Sequence, residues 1–262
     1  MLKDYDKLNK GFVTVTSNYH THNYLCGHAF GTVSDYVSQA VNRGYKVIGI
    51  SDHFASHNDD SPLYITFDTL KTEYFPQFDE AEKQFGKAIK ILKSAEVAYY
   101  EGADDYYRGL RNELDYLVMG QHGYMLNGVR KNTFWDGVDE QNVIAYCRHC
   151  VKAIKTGFFT VFAHPDLIFY KRHPVTPAIA AEFDNMIKTA VGCGMITELN
   201  SNGIRNAQFK YPTDLLVDAC IKYNARVVVS ADCHIPSELG DGHVTELYAY
   251  AKARGLNVID EI

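Results

Sequence analysis

Residues 46–53 read KVIGISDH, an apolar, β-branched run of strand length that ends in a histidine able to bind a metal. The plan recurs along the chain. FVTVTSNYH (12–20), IKILKSAEV (89–97), YLVMGQH (116–122), FFTVFAH (158–164), MITELN (195–200) and RVVVSADCH (226–234) are further strand candidates. Between them, helical spacing of apolar residues predicts helices over 32–43, 69–85, 103–114, 139–155, 177–191 and 213–224, and a last one over 243–254. Gly44, Gly157 and Gly194 stand where helices should end, and Thr32, Thr176 and Thr213 where they should begin. Strict alternation of strand and helix implies parallel strands joined by right-handed crossovers. With no linker, repeat or composition break, the 262 residues are expected to form one α/β domain over 1–262, a closed or nearly closed (β/α)7 barrel of TIM-like build. Pro76 in TEYFPQFDE predicts a kink or two shorter helices before the third strand. Residues 54–66, FASHNDDSPLYIT, read as a long loop after the second strand.

Composition narrows the function. The chain is 46% hydrophobic and 22% charged, far from a disordered composition. A formal charge of -6 argues against a surface that grips a nucleic-acid backbone, so no nucleic-acid partner is expected. The N-terminal MLKDYDKLNKGF lacks the apolar core of a signal peptide, and no run approaches a membrane span; a cytoplasmic protein is expected, with no membrane partner. The six cysteines suit reduced thiols better than a disulfide framework. Cys147 and Cys150 form a CxxC inside a helical run with no second CxxC, which favours core packing.

The strand ends carry the chemistry. His20 and His22, His53, Glu96, His122, His164, then Asp232 and His234 all fall at the C-terminal ends of strand candidates. In a parallel barrel that rim is the active-site face, so ligands far apart in sequence converge there. His20 and His22, like Asp232 and His234, are two residues apart, and in extended chain each pair points to one face. A lone strand-end histidine is usually a satisfied polar residue; agreement across the strand ends argues for ligation. Imidazole and carboxylate suit Zn, Mn or Fe. So many ligands exceed the needs of one ion, which predicts two or three divalent ions with Glu96 as the bridge. His28, in YHTHNYLCGH (19–28), lies in a segment that must pass over the barrel mouth and could reach a further ion, with Cys26 a bystander. His57, His149, His173 and His243 break the pattern and read as surface or core residues.

In order, YHTHNYLCGH, SDH, Glu96, QH (121–122), AHPD (163–166) and SADCH (230–234) resemble the motifs of the PHP (polymerase and histidinol phosphatase) family, over about 13–253. The resemblance implies a distorted seven-stranded barrel of PHP type with three divalent metal ions. It assigns His20, His22, Glu96 and Asp232 to the first, Glu96, His122 and His164 to the second, and His28, His53 and His234 to the third. Length, the lack of appended domains and ELNSNGIRN (198–206) further resemble stand-alone histidinol-phosphate phosphatases of histidine biosynthesis.

Phosphate monoester hydrolysis is very slow in water, and a multinuclear site can supply both a hydroxide nucleophile and a clamp on the phosphoryl oxygens. The expected activity is therefore histidinol-phosphatase, with a hydroxide shared by the first two metals attacking a small-molecule phosphate monoester, L-histidinol phosphate. Arg172 and Arg205, in loops after strands, are candidates to bind phosphate through a bidentate fork, and Lys171 a weaker one. Asp52 reads as an outer partner at best. Asp166, Glu198 and Asn200 lie close enough to the rim in sequence to recognise a cationic amine. A nuclease or nucleotide phosphoesterase, a protein-tyrosine phosphatase and a metal-binding accessory domain are the alternatives.

Overall fold

A computed structural model describes residues 2–6, 13–55, 65–136, 139–169, 174–206 and 208–262. Ten strands run in chain order. They are β1 (Ser17–Asn18), β2 (Val47–His53), β3 (Lys90–Val97), β4 (Tyr116–Met119), β5 (Gly123–Leu126), β6 (Val129–Asn132), β7 (Val161–Phe162), β8 (Ile196–Asn200), β9 (Arg226–Ser230) and β10 (Asn257–Val258). Eight form one parallel sheet in the order β1-β2-β3-β4-β7-β8-β9-β10, and β5 pairs with β6 in an antiparallel hairpin.

The sheet curls until its first strand meets its seventh. Past β1 and β9 the chain continues extended, and Asp232 N–H donates to His20 O while His22 N–H donates to Cys233 O, both at 3.0 Å. Ala231 N–H adds a bond to the Asn18 side chain at 2.7 Å. The expected distorted (β/α)7 barrel is thus realised, and β10 adds an eighth strand by pairing with the start of β9, Asn257 opposite Arg226. Several strands are shorter than the sequence suggests, because among the described residues only 17–18 of 13–20 and 161–162 of 158–164 find ladder partners.

The helices fall where the periodicity puts them: Val33–Asn42, Phe75–Phe85, Asp104–Glu113, Glu140–Thr156, Pro177–Gly192, Asp214–Lys222 and Gly242–Ala253. The Thr32, Thr176 and Thr213 side chains cap the helices that follow by accepting from the N–H groups of Asp35, Ile179 and Leu216. Gly157, in the left-handed region at φ 69°, ends the helix before β7. Pro76 sits in the first turn of Phe75–Phe85, and the chain reaches that turn through a single wide π turn, Leu70–Tyr74, in which Phe75 N–H bonds Leu70 O. The wide turn accommodates a residue that has no N–H to give.

Apolar side chains fill the barrel below its rim. Tyr19, Tyr116, Val118, Val161, Ala163, Ile196 and Val228 form this inner cluster. Tyr116 reaches across to donate to Tyr19 O at 2.7 Å, and a Cβ on Gly49 would lie 1.8 Å from its hydroxyl. Only glycine leaves room for that plug, which gives the polar rim a dry floor. The strand and helix candidates do not include the β5–β6 hairpin, the short helix at Asn202–Arg205 or β10.

Candidate metal centre

Every expected ligand reaches the rim. His20 Nε2 lies 3.1 Å from His22 Nε2, 3.4 Å from Glu96 Oε2 and 3.5 Å from Asp232 Oδ1. His22 Nε2 lies 3.1 Å from Asp232 Oδ1 and 3.6 Å from Glu96 Oε2. At metal–ligand bonds of 2.0–2.1 Å, neighbouring donors of a tetrahedral site are separated by roughly 3.3–3.4 Å. These separations match the edges of such a site.

The other Glu96 oxygen faces a second group. Oε1 lies 3.1 Å from His164 Nε2 and 3.6 Å from His122 Nε2. On the outer side, His234 Nε2 and His28 Nε2 approach to 3.2 Å, and the His53 ring stacks on that of His28 at 5.0 Å. His53 also turns Nδ1 toward Glu96 Oε2 at 2.9 Å, so it faces both groups. Cys26 comes closer than its reading as a bystander suggests, with Sγ 4.0 Å from His28 Nε2.

The donor chemistry fits cations. His20 Nδ1 lies 2.8 Å from Glu198 Oε1; with its proton directed there, the neutral ring turns a lone pair at Nε2 toward the lone pair of His22 Nε2 and two carboxylate oxygens. Such a cluster repels itself until a positive charge lies between its members. In the protein alone protons do this work. Burial opposes charge on His20, yet Asp232, Glu198 and Glu96 raise its pKa well above 6.5. His22, under the same opposition, is raised to about 9 by Asp232 and Asp52. Burial would also disfavour charge on Glu96 and Asp232, but the surrounding histidines hold both well below the carboxylate range. Farther out burial wins: it lowers His53, takes His122 down to about 3 and, aided by His22, His234 to about 2.

Partners behind the ligands fix their orientation. Glu198 bonds His20 through one oxygen and accepts from His164 N–H at 2.9 Å and the Asn200 amide at 3.0 Å through the other. Asn200 also donates to Asp232 Oδ2 at 2.9 Å. Asp52, read as an outer partner at best, stands behind His22, with Oδ1 3.4 Å from its Nδ1, and accepts from Asn23 N–H. His28 and His234 direct Nδ1 at the backbone oxygens of Cys26 and Asp232. His164 and Asp232 hold left-handed backbones at φ 29° and 45°. Such strain in non-glycine residues concentrates where a side chain must be aimed.

A cavity of about 330 Å³ opens above the ligands, lined also by Asn132, Phe134, Trp135, Leu167, Asn202, Phe209 and Tyr211. Asn132, Phe134 and Trp135 come from the end of the missed hairpin and the turn after it, and the hairpin's signal was present: Asn127-Gly128, both at positive φ, is a tight-turn pair between the two short strands.

The polar candidates outside the ligand set are placed differently. Asp166, Glu198 and Asn200 are buried and absent from the described lining, so the structure puts them behind the site rather than before an amine. Arg205 is likewise not among the described lining residues. Its Nε donates to Asp241 at 2.9 Å, and its other nitrogens to Ala231 O, Ser201 Oγ and Glu238 O, so the guanidinium is engaged in tying together the segments that follow β8 and β9. Lys171, Arg172, His57 and His173 lie outside the described residues. His149 bonds Tyr99 O, and His243 pairs with Asp241 at 3.2 Å, away from the ligands.

The PHP domain family model matches residues 18–202. A protein of Deinococcus radiodurans named "Probable histidinol-phosphatase" is 23% identical over 84% of this chain and 87% of its own length. One of Schizosaccharomyces pombe with the same name is 25% identical over 87% and 84%. Among solved structures, histidinol phosphate phosphatase of Lactococcus lactis, complexed with zinc, L-histidinol and phosphate, superposes with TM-score 0.72 at 15% identity, covering 93% of this chain and 95% of that one. A Listeria monocytogenes structure gives 0.76 at 17%, covering 88% and 99%. A family match over most of the chain, joined to a ligand set gathered on a parallel-barrel rim, establishes that the chain belongs to the PHP domain family.

Proposed function

We propose that this chain is a metal-dependent phosphatase that hydrolyses L-histidinol phosphate to L-histidinol and phosphate, a small-molecule enzyme of histidine biosynthesis working in the cytoplasm. The observation that carries the reading is Glu96, whose two oxygens face two separate groups of histidines beneath one cavity. His20, His22, Glu96 and Asp232 would hold a first divalent ion, Glu96, His122 and His164 a second, and His28, His53 and His234 a third. Such ions, zinc, manganese or iron, supply Lewis acidity and activation of water at neutral pH. The chain's own residues do the rest. Glu198 and Asp52 set the His20 and His22 rings, Glu96 couples the two inner groups, and the tyrosine-plugged floor keeps bulk water from the inner carboxylates. The aromatic wall, Phe134, Trp135, Phe209 and Tyr211, suits a planar leaving alcohol such as one bearing imidazole. The specific substrate is supported by the names of relatives at 23 and 25% identity and by the Lactococcus lactis complex. Arg172 and Lys171 stay proposed phosphate ligands on their place in the sequence alone.

The test combines metal analysis of the purified protein with kinetics on L-histidinol phosphate, a generic aryl phosphate and single-stranded oligonucleotides. A kcat/KM for L-histidinol phosphate far above that for the aryl ester is expected, with no oligonucleotide cleavage. Equal values for the two esters would remove the specific substrate and leave a phosphatase; cleavage of oligonucleotides alone would overturn both.

A further inference from the structure

Tyr211 stands apart from the other buried tyrosines. The hydroxyls of Tyr36, Tyr74, Tyr107, Tyr116 and Tyr146 all donate to backbone oxygens. Tyr211 is 4% exposed and lines the cavity, yet its hydroxyl has no hydrogen-bond partner among the described residues. Tyr45 also lacks a partner, but it lies in the outer core and not at the cavity. Unlike that of Tyr45, the Tyr211 hydroxyl is not sealed from solvent, so an acceptor that enters the cavity can reach it.

The ring is held from both sides. Phe209 stacks on it at 5.4 Å and 17°, and a Cβ on Gly203 would lie 2.3 Å from its Cδ2. The His164 ring is 6.1 Å away. Tyr211 shares the cavity wall with His122, His164 and Asp232, which puts the ring on the ligand side of the cavity. Among the described lining residues there is no lysine or arginine.

We infer that Tyr211 is a substrate-contacting residue, its hydroxyl donating a hydrogen bond to a phosphoryl oxygen held above the metal ligands. The inference rests on the phosphatase reading for its substrate, but its test does not need turnover. Trp135, the single tryptophan of the chain, lines the same cavity at 82% exposure, and its fluorescence reports occupancy.

Inorganic phosphate is titrated into the metal-loaded wild type and into Tyr211→Phe, which keeps the ring and its packing. The variant is expected to bind phosphate roughly tenfold more weakly and to lose on the order of 100-fold in kcat/KM for a phosphate monoester, the scale for losing one such donor. Its metal content should not change, and that readout separates a lost contact from a disturbed site. Tyr211→Trp, which restores a ring N–H donor, provides a second variant that should bind phosphate better than Phe. Equal phosphate affinity in wild type and Tyr211→Phe at equal metal content would overturn the inference. Should the wild type hydrolyse no phosphoester, the proposed function fails, while the phosphate titration still decides the role of Tyr211.

Discussion

At the scale of residues, the centre depends on what stands behind the ligands as much as on the ligands. Glu96 was legible from its place at a strand end. Gly120 was not, because its role is to be empty: a Cβ there would lie 1.8 Å from Glu96 Oε1 and 2.4 Å from its carboxyl carbon. Gly120→Ala is therefore expected to displace the carboxylate that both inner groups share, lowering bound metal and cutting kcat/KM by at least about 100-fold, since a misplacement of 1 Å can cost that much. Metal analysis beside kinetics checks it, and a variant with full metal and full activity would show that Glu96 need not sit where it does. Glu198 illustrates a different limit. Its sequence position suggested a contact to substrate amine, whereas its oxygens are taken by His20, His164 and Asn200. Position along the chain places a side chain on a strand but does not say whether a histidine will turn its far nitrogen toward it. Glu198→Gln should lower metal affinity about 10- to 100-fold, the range for outer partners of metal-bound histidines, with KM for the phosphoester little changed at saturating metal.

At the scale of elements, the alternation of strand and helix could be read because each element carries its own periodicity and caps. The β5–β6 hairpin escaped, although Asn127-Gly128 marks its turn, because burial is confined to the first two residues of β5 and β6 has no buried residue, so no apolar alternation runs through the pair. The short helix Asn202–Arg205 was masked by the motif it belongs to, in which Arg205 read as a phosphate ligand. Its guanidinium instead ties that helix to Asp241, the cap of Gly242–Ala253. The pair is mostly buried, and removing one partner of such a pair costs up to about 3–5 kcal/mol. At roughly 2–4 °C per kcal/mol for a chain of this size, Arg205→Ala should lower Tm by 5 °C or more. A role on phosphate would show up as weaker phosphate binding at unchanged Tm. The pair also has a pH signature. Burial opposes the charge of Asp241, but Arg205 and the Val244 N–H hold its pKa below the usual value. A lowered folded pKa means that the contribution is fully present above the unfolded pKa near 3.9 and is lost as pH falls through the folded value. Asp241→Asn, which keeps the helix cap, should melt below wild type at pH 6, and the gap should close as pH falls below the unfolded value and through the folded one.

For the whole molecule, barrel closure and ligand placement are one event. The backbone-to-backbone bonds that join the first strand to the seventh are made by His20, His22, Asp232 and Cys233, and three of these are expected ligands. Outward from that seam, Glu96 lies on β3 and His164 after β7, so ions held by this set would cross-link strands from around the barrel. The sequence showed the ligands converging but not that they lie on the closing seam, since closure depends on strand register that only the folded chain fixes. A cation that binds the folded chain and not the unfolded one stabilises it by about 2.7 kcal/mol when present at 100 times its Kd. For a chain of this size that amounts to roughly 5–10 °C in Tm. Chelation is expected to lower Tm by that amount, with the loss concentrated at the seam: the amides of His22 and Asp232 should exchange with solvent faster in the metal-free protein, while those within β3 should change little. The mutual repulsion of the Nε2 lone pairs and carboxylates supplies the reason, because without cations only protons offset it, and protons leave the seam with no bridge between strands. Native-state hydrogen exchange with and without zinc or manganese decides the matter; uniform exchange rates and an unchanged Tm on chelation would separate the metal centre from the closure of the barrel.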